Sequence, residues 1–389
     1  MNMNILMILE TRFPPDLRVE NEIDALLEAG YEVTIIAGFR EKLPEIAYYG
    51  KAKIIRVFLP LFIYKSSIGS LNFPFYFSFW KKKIKQELLK TSYDALHIHD
   101  LPLSEVVLNL RAELKQHFKI TLDLHENYPD FLRIAKHTQS RLGKFFFNYR
   151  QWLNYEARMV KLVDTVITVV EEMQARVIKL GAEPTKVIVV SNTFNSSKFL
   201  APQRKPQSDE LILFYGGGIT VDRGLQFVIP ALKELEKSIP NIKLWVVGFG
   251  SYLADLQALA KAEKVENLVK FFGQKPFEEL LDLLSQSHIA LIPHLKSPQT
   301  ESGLPHKLFQ YMVTGIPIIA SNCKPFIRVL EDNQAGLIYT YDQPTEFIAK
   351  VLELYGDKAK QDVLVANAKK VLQEKYLWEY DAERLAKVY

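Results

Sequence analysis

The chain has 389 residues, 48% of them hydrophobic and 24% charged. That is too long for one ordinary core and normal for a soluble globular enzyme of two domains. Its net charge of +4 is mild, and no zinc-ligand spacing or RNA-binding aromatic motif accompanies it, so nucleic acid is not an expected partner. A single cysteine, Cys323, excludes an intrachain disulfide and suits a reducing compartment.

The first apolar run, Ile5–Leu9, is too short for a signal peptide or a membrane span, and no later stretch is long and apolar enough to cross a bilayer. A cytoplasmic protein is expected. Asn4–Glu10 reads as a buried strand, followed by a helix from about Val19 to Glu28 that stops at Gly30. Strands are expected next at 32–38 and 52–58, then at Ala95–Asp100, Lys119–His125, Thr165–Val170 and Lys186–Asn192, with helical stretches between most of them. Near-continuous apolar strands alternating with helices indicate a parallel sheet covered on both faces.

Lys198–Glu210 breaks the rhythm, being polar, with two prolines and no periodicity. The division that follows is a first domain over 1–198, a linker over 199–210, a second domain over 211–374, and a last helix over 375–389. In the second domain, strands are expected at Leu211–Gly217, Ile242–Gly248, Val269–Gly273, Ile289–His294, Pro317–Ser321 and Gly336–Thr340. Two Rossmann-like α/β domains in tandem result. Such sheets bind ligands at the carboxyl ends of their strands, and with two domains the site is expected in the cleft between them.

The second domain carries the clearest chemistry. Its first strand runs into YGGGITVDRG (Tyr215–Gly224), where Gly217 and Gly218 let a backbone approach a ligand and Arg223 stands before a helix. A flexible turn with an exposed arginine is the structural alternative. TESGLPHKLFQYMVTGIPIIAS (Thr300–Ser321) runs from a polar loop at Gly303, Leu304 and Pro305 into a short helix and then an apolar strand. Lys307 sits in the first turn of that helix, where an acid is the usual choice. A cation there opposes the helix dipole unless an anion lies between them, which points to a phosphate. VVGFGS (Val246–Ser251) lacks the third glycine of the nicotinamide-cofactor fingerprint.

Taken together, these elements resemble the retaining GT-B glycosyltransferases, especially glycosyltransferase family four. The glycine strand end with a following basic residue, the VVGxG and VxFxG strands, and Gly315–Ser321 all match that pattern. The first half adds PPDLRVENEIDALLEAGYEV (Pro14–Val33), YDALHIHDLPL and ITLDLHENY, which resemble the branch with DxRV, HxHD and DxHE signatures. The resemblance implies a GT-B fold whose last helix crosses back to the first domain. It implies transfer of a sugar from a nucleotide-diphosphate sugar, carrying UDP or GDP, to a saccharide or lipid-linked acceptor in bacterial cell-surface glycan synthesis. His125 corresponds to the histidine that contacts the transferred sugar, with Glu126 beside it; Asp16 and Arg18 fall on the acceptor side. Arg223 and Lys307 would stabilise the leaving diphosphate, no metal or other cofactor being needed. His97 and His99 alternate with apolar residues and read as structural.

The match has departures. Ser302 and Gln310 stand where the family has two glutamates, with Glu301 one residue early, and Gly218 stands where many members carry an arginine. A non-catalytic sugar-nucleotide or partner-binding protein, or a GT-B-like sugar-nucleotide epimerase, therefore remain as alternatives. Finally, Leu71–Lys90 crowds aromatics before lysines 81, 82, 83 and 85, and Lys144–Lys161 adds Phe145, Phe146, Phe147, Tyr149 and Trp152. That composition suits an anionic membrane surface on the inner face of the cell membrane as readily as inward packing.

Overall fold

The computed structural model describes residues 3–196, 198, 202, 204, 205 and 210–389. Most of the linker segment 199–210 lies outside the described residues. The chain divides into two compact units, Met1–Ser191 with Glu379–Tyr389, and Asn192–Trp378.

The first unit is built on an eight-stranded sheet. Its strands are β1 (Asn4–Leu9), β2 (Glu32–Phe39), β3 (Ile46–Tyr49), β4 (Ala52–Phe58), β5 (Ala95–His99), β6 (Lys119–Leu124), β7 (Thr165–Thr168) and β8 (Val187–Val189). They lie in the order β3-β4-β2-β1-β5-β6-β7-β8. All neighbours are parallel except β3, which pairs antiparallel with β4 through a tight turn at Gly50. The apolar-run reading does not reach β3, because this short edge strand has no buried residue and so no buried run to recognise. The interior strands are the opposite case: Ile5, Leu6, Met7 and Ile8 of β1 are wholly buried.

The helix expected from Val19 begins at Leu17, because Asp16 caps it. The Asp16 carboxylate accepts from the amides of Arg18 and Val19 at 3.1 and 3.2 Å, and Glu20 accepts from the Asp16 amide at 3.1 Å. At the other end of the chain, Asp381 is fully buried and accepts from the Ser191 amide at 3.0 Å, while Tyr31 donates to the Ala386 carbonyl at 3.0 Å. These bonds seat the segment Glu379–Tyr389 on the first sheet.

The second unit has six parallel strands: β9 (Leu211–Gly216), β10 (Ile242–Val247), β11 (Val269–Gly273), β12 (Ile289–Ile292), β13 (Ile318–Ser321) and β14 (Leu337–Tyr339). Their order is β11-β10-β9-β12-β13-β14. Alternation along β9 feeds two cores, Leu213 and Tyr215 into one and Phe214 into the other. In each unit the winding reverses beside the first strand, between β1 and β5 and between β9 and β12. Crevices open at such reversals, outside the carboxyl ends of the strands.

Loops at those ends are packed tightly enough to require glycine. Gly248 follows β10 at φ +148°, and a methyl group there would lie 1.9 Å from the Gly217 carbonyl oxygen. Gly248→Ala should therefore lower the unfolding free energy by about 2–4 kcal/mol, measured from urea denaturation. Gly218→Ala adds a methyl with nothing within 4 Å and should change stability by less than ~0.5 kcal/mol.

Candidate active site

In the first unit the polar groups gather at the carboxyl ends of β5 and β6. Adjacent parallel strands in register bring His99 opposite Asp123. Alternation then turns His97, His99 and Asp123 to positions reached by Arg18 and Glu22 of helix Leu17–Glu28. Arg18 donates to Asp123 through Nη2 at 2.7 Å and Nε at 3.2 Å, and through Nη1 to the Val190 carbonyl at 3.1 Å. Its Nε also lies 3.0 Å from Glu22. All of these side chains are buried. A guanidinium without those partners in such a place would cost several kcal/mol.

His125 sits at the rim of this network, 19% exposed. Its Nε2 is 2.8 Å from Asp123 Oδ2 and 3.1 Å from His99 Nδ1. Burial resists ionisation of Asp123, but Arg18 and His125 outweigh it and hold its carboxyl well below the usual range. An ionised carboxylate cannot donate, so the proton in the 2.8 Å contact belongs to His125 Nε2. Burial likewise opposes charge on the ring, yet Asp100 and then Asp123 push His125 up to about 9. The ring is thus charged at neutral pH, and its Nδ1 faces Asp100 Oδ2 at 3.8 Å. Asp100 has left-handed backbone, φ +64°, and its Oδ1 accepts from the His125 amide at 3.4 Å.

Glu22, His97, His99 and Asp123 bring ligand-type atoms within 4.8 Å of one another. Arg18 lies against both Asp123 and Glu22, and burial, then the charge of Asp123, push Glu22 up to about 8, so it is protonated at neutral pH. We read the cluster as a buried ion network. Burial lowers His97, and lowers His99 to about 3, so both are neutral. Glu126 is half-buried next to His125. Asp16 serves as the helix cap and Arg18 as the buried partner of Asp123; neither role was legible from the first loop alone.

In the second unit the loop after β9 and the helix His306–Thr314 meet. Lys307 projects its ammonium to 3.8 Å from the Tyr215 ring centroid. A methyl group on Gly217 would lie 2.9 Å from Lys307 Nζ, so glycine makes room for it. That nitrogen is out of contact with solvent and has no hydrogen-bond partner among the described residues. Burial, and then the charge of Arg223, hold Lys307 well below the usual lysine range. Arg223 is about one-third exposed, with Nη1 3.3 Å from His294 Nε2 and Nε 3.3 Å from Asp222. His294, at the end of β12, is kept neutral by burial and then by Arg223 and Lys307. Two basic side chains, Lys307 and Arg223, thus stand at the β9–β12 reversal, and the acid Asp222 lies against Arg223.

The loop before that helix is held by Thr300, whose hydroxyl donates to the Leu295 carbonyl at 2.7 Å and accepts from the Ser297 amide at 2.9 Å. Ser302 is turned inward, donating to the Pro298 carbonyl at 2.7 Å. Glu301 points elsewhere: its Oε1 accepts from the Lys324 amide at 2.9 Å, at the start of the next helical turn. Gly303, Leu304 and Pro305 lead half-buried into helix His306–Thr314, which no side chain caps. Gln310 is half-buried one turn further on, and Gly218 is exposed. Residues that the sequence reading passed over are Asp123 and Asp100, inside its own motifs, and Glu22. Glu10, at the end of β1, is another; burial pushes it up to about 8.

Comparison with known proteins bears on both units. A family model described as Glycosyltransferase Family 4 matches residues 18–198, and one described as Glycosyl transferases group 1 matches residues 196–371. The amylovoran biosynthesis glycosyltransferase AmsK of Erwinia amylovora is 26% identical over 199 residues, 50% of this chain and 49% of the relative. The chain spans about half the length of the curated relatives it matches. Among solved structures, sucrose-phosphate synthase from Thermosynechococcus elongatus superposes with a TM-score of 0.76 at 17% identity, covering 100% of this chain and 98% of the other. Anabaena HepE, crystallised with UDP, gives 0.73 at 14% identity, covering 99% of each chain. At such identities the likeness is one of fold, and the fold is the GT-B fold expected above.

The desolvated Lys307 makes a proton-linked prediction. Whatever fraction of this amine burial keeps neutral regains its proton when a polyanion binds beside it, because the anion favours the charged form. Binding of pyrophosphate near neutral pH should therefore take up as much as about one proton per site. Titration calorimetry in buffers of different ionisation enthalpy measures this, and Lys307→Ala should abolish the uptake and weaken binding without unfolding the protein.

Proposed function

We propose a function from the premise that this chain belongs to the family 4 glycosyltransferases, whose two models together span residues 18–371: it moves a sugar from a nucleotide-diphosphate sugar to a saccharide or lipid-linked acceptor. The observation that carries the reading is the convergence of Lys307 and Arg223 on the glycine-lined end of β9. When the bond from the anomeric carbon to the diphosphate breaks, its electron pair leaves on a phosphate oxygen. Preorganised cations in a water-poor site stabilise that charge most where it develops. Lys307, Arg223 and the uncapped start of helix His306–Thr314 supply such an environment.

The donor is a UDP- or GDP-sugar. HepE, of the same fold, has been crystallised with UDP-glucose, which supports a nucleotide sugar as the class. Gln310 hydrogen-bonds the ribose in this reading. Ser302 is engaged within its own loop and Glu301 by the Lys324 amide, so in the second unit the sugar is held by backbone amides near Gly303. The anomeric configuration is retained: the acceptor hydroxyl attacks from the face the diphosphate leaves, and its proton passes to a donor phosphate oxygen. No metal takes part. Relatives such as AmsK are named for polysaccharide biosynthesis, which supports a cell-surface glycan as the product.

A surface feature favours a lipid-linked acceptor. Phe62, Phe73 and Phe75 are exposed and in ring contact, and Phe73 also meets Phe146, beside Phe145 at 81% exposure. Phe62, Phe73, Phe75 and Phe146, with Tyr64, Lys65 and Ile68, line a cavity of about 680 Å³. The lysines contribute differently from the sequence expectation: Lys81 and Lys85 are both bound to Glu113, at 2.7 and 2.5 Å. Lys65 and Lys144 are the cations nearest the aromatic face in sequence. Trp152 and Tyr155 of the second aromatic stretch pack inward. Among the described residues no helix is long and apolar enough to cross a membrane. The aromatic face would rest at a membrane surface, on the inner side of the cell membrane.

Two measurements test this function. Purified protein incubated with UDP-, GDP- and ADP-sugars should hydrolyse one class slowly, and Arg223→Ala should lower that kcat/KM by roughly 10²-fold or more. Nucleotide binding without turnover on any acceptor pool would mark a binding protein, and sugar interconversion without acceptor would mark an epimerase. The protein should also co-sediment with phosphatidylglycerol-containing vesicles at low salt. Phe62→Ser with Phe145→Ser should reduce that binding several-fold, and no co-sedimentation of the parent protein would remove the membrane from the account.

A further inference from the structure

Behind His125 lies a line of buried groups that the proposed reaction does not use. Tyr389 places its hydroxyl 2.6 Å from His97 Nδ1. The opposite edge of that ring, Nε2, faces Glu22 Oε2 at 3.5 Å and Asp123 Oδ2 at 3.6 Å. Asp123 Oδ2 is the atom that holds His125 Nε2 at 2.8 Å. His97, Glu22 and Asp123 are wholly buried. No solvent reaches them to exchange protons or screen charge.

The protons in this line follow from the partners. Burial keeps the Tyr389 hydroxyl protonated, so it donates and His97 Nδ1 accepts. A neutral imidazole has one N–H, which must then be on Nε2. That N–H faces the ionised Asp123 carboxylate at 3.6 Å, a charge–dipole contact longer than a hydrogen bond, and Glu22, which burial and then Asp123 push up to about 8 and so keep protonated. Donation into Nδ1 polarises the ring and increases the positive charge at Nε2–H, which acts on Asp123 across the unscreened 3.6 Å contact. The more positive that edge of the ring, the weaker the negative potential that the Asp123 site presents to His125.

We propose that Tyr389 and His97 are positioning residues that set the charge state and ring orientation of His125 through Asp123. Neither touches His125; their effect passes through the shared carboxylate oxygen. The seating of Glu379–Tyr389 on the first unit is thereby coupled to the state of a site residue nearly the whole chain away in sequence. His125 is faced by Asp123 from its own strand, by Asp100 and His99 from β5, and by Arg18 and Glu22 from helix Leu17–Glu28. Those groups stay in place in the variants below. The inference rests on the proposed function only for its catalytic consequence, since the charge of His125 is measurable without turnover.

The experiment is the titration of His125 by NMR of protein labelled in its histidine rings. Tyr389→Phe keeps the ring and removes the donor. It should raise the His125 midpoint by about 0.5 pH, since the loss of one donor acts only through a less polarised ring and one intervening carboxylate. His97→Asn should raise it by more. Tyr31→Phe is the control: it removes the Tyr31–Ala386 bond that seats the same segment, and leaves the His97 line intact. It should leave the midpoint where it is. Donor hydrolysis, where present, should show its pH profile moved in the same direction in Tyr389→Phe. An unmoved or lowered midpoint in both Tyr389→Phe and His97→Asn, with near-native melting, overturns the proposal. An equal movement in Tyr31→Phe overturns it too, because the effect would then come from docking alone.

Discussion

A parallel sheet ends all its strands on one edge, and that constraint organises everything else in this molecule. Side chains and loops far apart in sequence are delivered to one line because their strands must run the same way. Glu10, Asp100 and His125 stand at the ends of β1, β5 and β6 for this reason; Gly217, Gly248 and His294 stand at the ends of β9, β10 and β12. The reversal in winding beside the first strand then opens a crevice at the same edge in each unit.

The two units use buried cations in opposite ways. Arg18 is removed from water but meets Asp123 and Glu22, so its charge is compensated inside the fold. Lys307 is removed from water and meets an aromatic face and glycine backbone. The first arrangement fixes structure and holds His125 in its charged form. The second raises the free energy of the charged lysine until an anion arrives. Desolvation is common to both; the partner decides whether the result is a scaffold or a binding site.

The sheet strands were legible in the sequence because buried parallel strands are unbroken apolar runs of β-branched residues. The edge strand β3 was not, since Ile46–Tyr49 buries no residue. The start of the first long helix was misplaced by two residues for want of reading Asp16 as its cap. Motifs placed Arg223, Lys307 and His125 on the page. Their partners stayed hidden, because a pattern in one segment carries no sign of a contact made 105 residues away, as Arg18 makes with Asp123, or 292 away, as His97 makes with Tyr389. Likewise, nothing in TESGLPHK tells that Glu301 turns to the Lys324 amide and Ser302 to a carbonyl. These are choices of the folded loop.

The central claim is that a donor diphosphate binds at Lys307 and Arg223. The most direct test is a crystal structure of the protein with the nucleoside diphosphate, UDP or GDP, that it binds. The account predicts phosphate oxygens within about 3 Å of Lys307 Nζ and of an Arg223 nitrogen, at the start of helix His306–Thr314. A nucleotide bound with its diphosphate away from both residues, and Lys307 still resting on Tyr215 alone, would contradict it.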